Sequence, residues 1–131
     1  MKTKTIRQRV SFRCHPHLVY DALMDAKKHA QFTKAPATIS RKVGGKFSVW
    51  DDYASGKNLE LIEDRKIVQT WRAVDWTEGV ESVVTFEFEK TKNGTKMKFV
   101  QTGVPEEHYE SIKQGWIDFY WKPMKEMLDP S

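Results

Sequence analysis

Residues 106–129 constrain the fold most strongly, because no other stretch of the chain is long enough to form a major helix. Large apolar residues recur there at steps of three and four, which is the period of an apolar stripe along one face of an α-helix. The stripe consists of Tyr109, Ile112, Trp116, Tyr120, Met124, Met127 and Leu128. The remainder of the chain is patterned mostly as strands. The pattern therefore predicts a long C-terminal helix that lies across a sheet.

The sequence before this helix predicts one strand, two short helices and about six further strands. Apolar and polar residues alternate over residues 5–14, which is the period of a half-buried strand. Pro16 suits the first turn of a short helix, and the Asp25 carboxylate can cap a second one by accepting free backbone N–H groups. Turn residues at Gly44-Gly45, Ser55-Gly56 and Asn93-Gly94 separate later strands, predicted at 37–41, 46–52, 57–62, 66–74, 82–89 and 95–101.

This order of elements predicts an α+β protein with the helix-grip fold. In that fold a curved antiparallel sheet, here of six or seven strands, wraps around the long C-terminal helix, and two short helices follow the first strand. A chain of 131 residues has room for one hydrophobic core, so we expect a single domain over residues 1–131. A cavity can form between the sheet and the helix.

Composition narrows the classes of function. The formal net charge is +4, and the 22 basic and 18 acidic residues are interleaved along the chain, which argues against a nucleic-acid-binding surface. No apolar run is long enough to span a bilayer, so membrane insertion is not expected. Cys14 is the single cysteine of the sequence, which favours a reducing, cytoplasmic location. We expect a monomer.

Eight short signatures occur at the boundaries of the predicted elements. In order, they are Phe32-Thr33-Lys34-Ala35-Pro36-Ala37-Thr38, Gly44-Gly45-Lys46-Phe47, Ser55-Gly56, Ile67-Val68 with Trp71-Arg72, Trp76-Thr77-Glu78-Gly79, Asn93-Gly94-Thr95, Gly103-Val104-Pro105 and Gln114-Gly115-Trp116. Together they resemble the C-terminal domain of the activator of the heat-shock protein 90 ATPase, and the wider family of small proteins named after it. The resemblance covers nearly the whole chain. It implies a START-like domain, a group in which many members hold an apolar ligand, and it also implies a co-chaperone role.

Candidate site residues follow from strand alternation together with this resemblance. Alternation places Phe86 on the inner face of its strand, and Phe99 and Gln101 on the inner face of the next. The resemblance places Trp71 inward as well. The predicted ligand-binding residues are Phe32, Phe47, Val49, Glu60, Gln69, Trp71, Phe86, Phe99, Gln101, Ile112, Trp116 and Tyr120.

The strand at residues 57–62 allows two registers. Simple alternation directs Leu59 and Leu61 inward. The resemblance instead directs Asn58 and Glu60 inward, where Glu60 would be a desolvated pocket carboxylate. The sequence leaves both registers open.

Polar and backbone features of the predicted pocket also have two interpretations. Gln69 and Gln101 are buried amides that either orient a ligand or are satisfied by each other, by backbone or by water. Gly115 lies inside the long helix, where glycine costs about 1 kcal/mol relative to alanine, so we expect a strand or a bound molecule to approach the backbone closely there. Pro123 lacks a backbone N–H, which predicts a kink or change of direction near residues 119–121.

The first functional interpretation is a module that binds a small apolar or aromatic ligand between the sheet and the helix. The alternative is a co-chaperone-type module of the stress response that docks on heat-shock protein 90 and modulates its ATPase. A cyclase- or hydrolase-like enzyme with Glu60 as general acid or base ranks third, and we expect no enzymatic activity. The chain has no nucleophile elbow, phosphate-binding glycine loop or zinc signature, so we assign no catalytic residue and no cofactor. His15 and His17, with His29 or His108, do not follow a metal-ligand spacing, so we assign no metal.

Overall fold

The computed structural model describes residues 2–129, which contain one seven-stranded antiparallel sheet. The strands are β1 (Thr3–Phe12), β2 (Thr38–Ile39), β3 (Lys46–Val49), β4 (Ala54–Ile62), β5 (Lys66–Ala73), β6 (Ser82–Thr91) and β7 (Gly94–Pro105). Their order in the sheet is β1-β7-β6-β5-β4-β3-β2, so β1 and β2 form its two edges. Neighbouring strands all run antiparallel. The predicted α+β class and the run of consecutive hairpins are confirmed.

The chain leaves β1 through two short helices, α1 (Pro16–Met24) and α2 (Ala26–Thr33). His15 Nδ1 accepts a hydrogen bond from the backbone N–H of His17 at 3.0 Å. Asp25 Oδ1 accepts one from the backbone N–H of Lys28 at 3.0 Å. These side chains satisfy N–H groups that have no partner within the first helical turn. The pair of short helices and the capping role of Asp25 are confirmed.

The C-terminal helix changes its hydrogen-bond pattern part-way along its length. It consists of a 3-10 turn (Glu106–His108), α3 (Tyr109–Trp116), a π segment (Ile117–Trp121) and α4 (Lys122–Leu128). The backbone N–H of Lys122 donates to the carbonyl of Ile117, five residues earlier. Because Pro123 has no N–H to continue the ordinary pattern, the helix widens in the turn that precedes it. In the described part of the chain, no helix is long and apolar enough to cross a membrane.

The C-terminal helix packs its aromatic stripe against the inner face of the sheet. The Trp116 ring centroid lies 4.6 Å from those of Phe99 and Tyr120. Six residues that alternation directs inward on β6 and β7 are buried, namely Val84, Phe86, Phe88, Met97, Phe99 and Gln101. The predicted packing of the stripe is confirmed: Ile112, Trp116, Tyr120 and Met124 are buried, and Tyr109, Met127 and Leu128 are partly buried against the core.

A β-bulge in β4 determines which of its residues face the core. Asn58 pairs with Gln69 and Glu60 pairs with Val68, so Leu59 is an extra residue opposite β5. Asn58 is 1% exposed and Leu59 is 42% exposed. The register that the resemblance implies is therefore correct at Asn58, and the inward placement of Leu59 by simple alternation is wrong.

Beyond the bulge, the faces of β4 are exchanged. Glu60 is exposed, and its Oε1 lies 3.0 Å from Nζ of Lys66. The prediction of Glu60 as a pocket residue is therefore wrong, because the inserted Leu59 turns the following side chain to the outer face. Leu61 is half-buried against the core, so alternation is correct at this one position.

The turn between β3 and β4 lies earlier than predicted. It occupies residues 50–53, where three consecutive residues from Trp50 onward have left-handed backbone, with φ values of 56°, 53° and 68°. The predicted corner at Ser55-Gly56 is wrong, because β4 runs through both residues. A glycine is needed at position 56 for another reason. A Cβ on Gly56 would lie 1.8 Å from the carbonyl oxygen of Thr70 on β5.

Candidate functional site

The space beneath the C-terminal helix is almost completely filled by side chains. Its remaining volume is about 20 Å³, which is enough for roughly one water molecule. The predicted site residues that line this space are Phe47, Val49, Gln69, Trp71, Phe86, Trp116 and Tyr120. The structure therefore brings these seven residues together as predicted, but around a packed interior.

Gln101 joins the helix to the sheet through a chain of buried hydrogen bonds. The indole N–H of Trp116 donates to Gln101 Oε1 at 2.7 Å. Gln101 Nε2 donates to Ser82 Oγ at 2.9 Å, and the Ser82 hydroxyl donates to the backbone carbonyl of Trp71 at 2.7 Å. The Gln101 amide thus has protein partners at both its oxygen and its nitrogen.

Gln69 belongs to a second buried chain that ends on backbone. Its Nε2 donates to Asn58 Oδ1 at 3.0 Å. Asn58 Nδ2 donates in turn to the carbonyls of Ser40 and Lys42, at 2.7 and 3.0 Å. Of the two interpretations of the buried amides, the contacts favour satisfaction within the protein, although Gln69 and Gln101 bond to different partners and not to each other.

A buried histidine that the sequence did not single out as a site residue touches the same space. His29 on α2 is 3% exposed, and its Nε2 lies 3.0 Å from the hydroxyl of Tyr120. Its Nδ1 has no hydrogen-bond partner among the described residues. Burial lowers the pKa of His29 to about 4 and raises the pKa of the Tyr120 hydroxyl. Both groups are therefore uncharged at neutral pH.

A larger space opens on the surface beside the helix, and we call it the aromatic groove. It has a volume of about 240 Å³ and is lined by Trp50, Tyr53, Trp71, Ser111, Ile112, Gly115, Trp116, Phe119 and Tyr120. The turn at residues 50–53 forms one wall, and the C-terminal helix forms the other. The predicted residues Trp71, Ile112, Trp116 and Tyr120 line this groove too.

Gly115 lines the aromatic groove and opens it. A Cβ at this position would meet a single neighbour within 4 Å, the Phe119 ring at 3.7 Å. The expected close approach of a strand to this glycine is therefore wrong. The absence of a side chain here adds depth to the groove, because the helix backbone itself forms part of the floor.

Comparison with known proteins assigns this architecture to a family. The family model described as "Activator of Hsp90 ATPase homolog 1-like protein" matches residues 13–129. The chain belongs to this family. An activator of 90 kDa heat shock protein ATPase homolog from Dictyostelium discoideum is 39% identical over 115 residues, which is 87% of this chain and 30% of that protein. The human homolog 1 is 30% identical over 124 residues, which is 95% of this chain and 37% of that protein.

Solved structures agree with the family assignment. The crystal structure of an HSP90 activator from Plasmodium falciparum matches with a TM-score of 0.89 and 27% identity, and the match covers 94% of each chain. The solution structure of an Aha1 dimer from Colwellia psychrerythraea has the same fold, with a TM-score of 0.83, 16% identity and 96% coverage of each chain. This Hsp90-activator family member spans about a third of the length of the curated relatives it matches.

Four predicted site residues of this family member lie outside the linings of both spaces. Gln101 is buried in the hydrogen-bond chain described above. Phe32 lines a separate open recess on the far side of Phe119. Phe99 is completely buried against Trp116. Glu60 lies on the outer face of β4, as described above, so the pocket contains no carboxylate from that strand.

The four histidines lie in four different places. His15 caps α1, and His29 is buried against Tyr120. The His108 ring stacks on Trp76, with centroids 6.0 Å apart. His17 Nδ1 lies 2.9 Å from Asp64 Oδ1 at the surface, beside Glu63. Among the described residues, the one group of three side chains that could hold a metal ion is His17, Glu63 and Asp64, and it contains a single histidine.

Several acidic residues are neighbours in sequence of residues that line the aromatic groove. Asp51 and Asp52 lie in the turn that forms one wall, between two lining residues. Burial and then the nearby Asp75 carboxylate raise the pKa of Tyr53 at the groove mouth. On the helix wall, Glu110 and Asp118 are exposed and directly precede lining residues. None of the nine lining residues is basic.

Proposed function

We propose that this chain is a heat-shock protein 90 activator domain, which docks on the chaperone through its outer surface and stimulates its ATPase. Support comes from the curated relatives, which are named for this activity, and from the Plasmodium falciparum activator, whose described chain has nearly the same extent. In this proposal the chain and heat-shock protein 90 meet in the cytoplasm.

The observation that carries this proposal is the filled interior. Pockets for drug-sized ligands typically have volumes of roughly 300–1,000 Å³. The space under the C-terminal helix has about 20 Å³, so an interior ligand would have to displace several packed aromatic rings. A docking module needs no interior cavity. The packed core instead gives it a rigid surface on which to present contact residues.

An ATPase assay with purified components tests the proposal. The chain is titrated into heat-shock protein 90 from the same organism, and the rate of ATP hydrolysis is followed together with binding by isothermal titration calorimetry. We expect a saturable rise in rate whose midpoint agrees with the Kd. An ATPase-inactive variant of the chaperone serves as the control for contaminating hydrolysis. Absence of both binding and stimulation would refute the proposal.

A second candidate function rests on the aromatic groove. Its volume of about 240 Å³ approaches the lower range for small-ligand sites, and six of its nine lining residues are aromatic. In this interpretation a small aromatic compound binds at the surface and not beneath the helix. Native mass spectrometry of protein purified without organic solvent, combined with displacement of a fluorescent dye, tests it. A Gly115→Leu variant that binds the dye as wild type does would contradict binding in the groove.

A further inference from the structure

We propose that the aromatic groove is the docking site for the chaperone, and that it receives an apolar side chain from a segment flanked by lysine or arginine. This inference rests on the proposed function and specifies where and how the partner binds. It assigns the groove to a protein segment of defined chemistry. It also assigns contact roles to residues that the sequence did not identify, in particular Trp50, Tyr53 and Phe119.

The shape of the groove suits a single inserted side chain. Trp50 and Tyr53 stand on one wall and Phe119 on the other, while Gly115 removes the side chain that would otherwise fill the space between them. The Trp50 and Phe119 rings meet edge to face, with centroids 5.4 Å apart. This contact fixes the two walls relative to each other, so the groove is formed before a partner arrives.

Two of the wall residues are more exposed than aromatic side chains usually are. Phe119 is 55% exposed and Tyr53 is 39% exposed, although both lie beside a well-packed core. Large aromatic residues on a rigid surface, next to a pocket, are the residues that contribute most to protein–protein binding. Covering them would remove apolar area from water and stabilise a complex without any rearrangement of the domain.

Charge complementarity determines the chemistry of the partner. The chain as a whole has a net charge of +4, yet the groove-lining residues have as sequence neighbours the acidic residues described above. Among the basic residues close to the groove in sequence, Lys122 is paired with Asp118 at 3.3 Å, and Lys113 Nζ lies over the Tyr109 ring, 5.6 Å from its centroid. Lys34 lines the separate recess that shares Phe119 with the groove. A segment with lysine or arginine beside its apolar anchor would therefore be attracted to the groove, and an acidic segment would be repelled.

Two groove variants test the site itself. Phe119→Ala removes an exposed ring, so the domain should fold normally, and Gly115→Leu fills the groove from its floor. We expect each to weaken the Kd for the chaperone by about tenfold or more, as loss of a central interface contact does, and to reduce ATPase stimulation in parallel. The matched control is Ile62→Ala, at a residue on β4 that is 44% exposed and outside the groove. Its Kd should stay within about twofold of wild type, as expected away from an interface.

A charge variant tests the chemistry of the occupant. The double substitution Glu110→Gln and Asp118→Asn should weaken binding and reduce its dependence on salt concentration, because it removes two charges that would face the basic flanks. Glu87→Gln with Glu89→Gln, on the outer face of β6, is the control and should change neither quantity. An unchanged Kd and salt dependence for the groove variant would overturn the assignment of a basic segment.

The outcomes separate this inference from the proposed function. If wild type binds and stimulates the chaperone while Phe119→Ala and Gly115→Leu do so equally well, the groove inference is wrong and the proposed function stands. If wild type neither binds nor stimulates, both are wrong. Light scattering tests whether a second copy of the chain occupies the groove instead. If wild type is a dimer, and Phe119→Ala dissociates it without changing chaperone binding, a second copy fills the groove and the inference is wrong.

Discussion

Replacement of Gln101 by leucine should destabilise the domain even though leucine has nearly the same size and is apolar. Gln101 is fully buried, and it is the acceptor for the indole N–H of Trp116 and a donor to Ser82 Oγ. Leucine can do neither. The variant therefore leaves the indole N–H of Trp116 buried without an acceptor, at the centre of the contact between helix and sheet.

The expected loss follows from the two broken hydrogen bonds. A buried donor left without a partner costs about 1–3 kcal/mol, and loss of the bond to Ser82 adds about 1 kcal/mol. The free energy of unfolding should therefore fall by about 2–4 kcal/mol. Equilibrium unfolding in urea, followed by circular dichroism, measures this change directly. Gln31→Leu, at an exposed position on α2, is the matched control and should change stability by less than about 0.5 kcal/mol.

A double-mutant cycle identifies the cause. Trp116→Phe removes the N–H donor, so in the background of Gln101→Leu no donor remains to be left unpaired. The double variant should then lose about 1–3 kcal/mol less than the sum of the two single variants. Additive losses, equal to that sum within about 0.5 kcal/mol, would refute the role assigned to the unpaired indole N–H.

Two further predictions concern the titration of the buried His29 and the space around two glycines, Gly115 and Gly56. Burial lowers the pKa of His29 from 6.5 to about 4, so its uncharged form stabilises the fold above pH 6.5 and this contribution is lost as the pH falls towards 4. The free energy of unfolding should fall by roughly 3 kcal/mol over this range. In urea unfolding, His29→Gln should depend less on pH than wild type does. The same pH dependence in both proteins would contradict this prediction. Gly115→Ala should stabilise the domain by about 1 kcal/mol, because its Cβ meets only the Phe119 ring at 3.7 Å. Gly56→Ala should destabilise it strongly in thermal unfolding, because its Cβ would lie 1.8 Å from the Thr70 carbonyl oxygen, and equal effects at both glycines would contradict this contrast.

Most of the architecture could be predicted because periodic patterns repeat over many residues. The helical stripe from Tyr109 to Leu128 contains seven members, so one irregular turn does not hide it. Alternation on β6 and β7 placed Phe86 and Phe99 correctly for the same reason. Capping by Asp25 was predictable as well, because its effect is confined to a single helical turn.

The β-bulge could not be predicted, because one extra residue moves the following side chains to the other face of the sheet without leaving a mark in the pattern of residue types. The extra Leu59 in β4 exchanged the faces on either side of it and moved Glu60 outward. Neither simple alternation nor the family resemblance alone gave the observed register, since each was correct on only one side of the bulge. Two-residue periodicity carries no signal for such an insertion.

The sequence also could not predict that side chains fill the space beneath the helix, because cavity volume depends on how side chains from distant elements pack. His29, for example, comes from α2 and reaches Tyr120 at the far end of the chain. Its spacing of three residues from Phe32 on the same short helix was the available signal, and it indicates only a shared face. The aromatic groove could not be predicted either, because one of its walls is a turn that was predicted at residues 55–56 and lies at residues 50–53.

The packed interior and the exposed aromatic wall both result from the π segment. A turn with i to i+5 bonds takes more residues per revolution than the 3.6 of an α-helix, so Trp121 comes closer to the face of Trp116, and the two indole rings stack with centroids 5.5 Å apart. In an ordinary α-helix Trp121 would point away from that face, and the space beneath the helix would lack one of its largest side chains. The same turn leaves Phe119 on the outside, beside Trp50. The widened turn therefore has two effects at once. It places Trp121 in the core, which reduces the interior volume, and it places Phe119 on the surface, where it forms one wall of the groove.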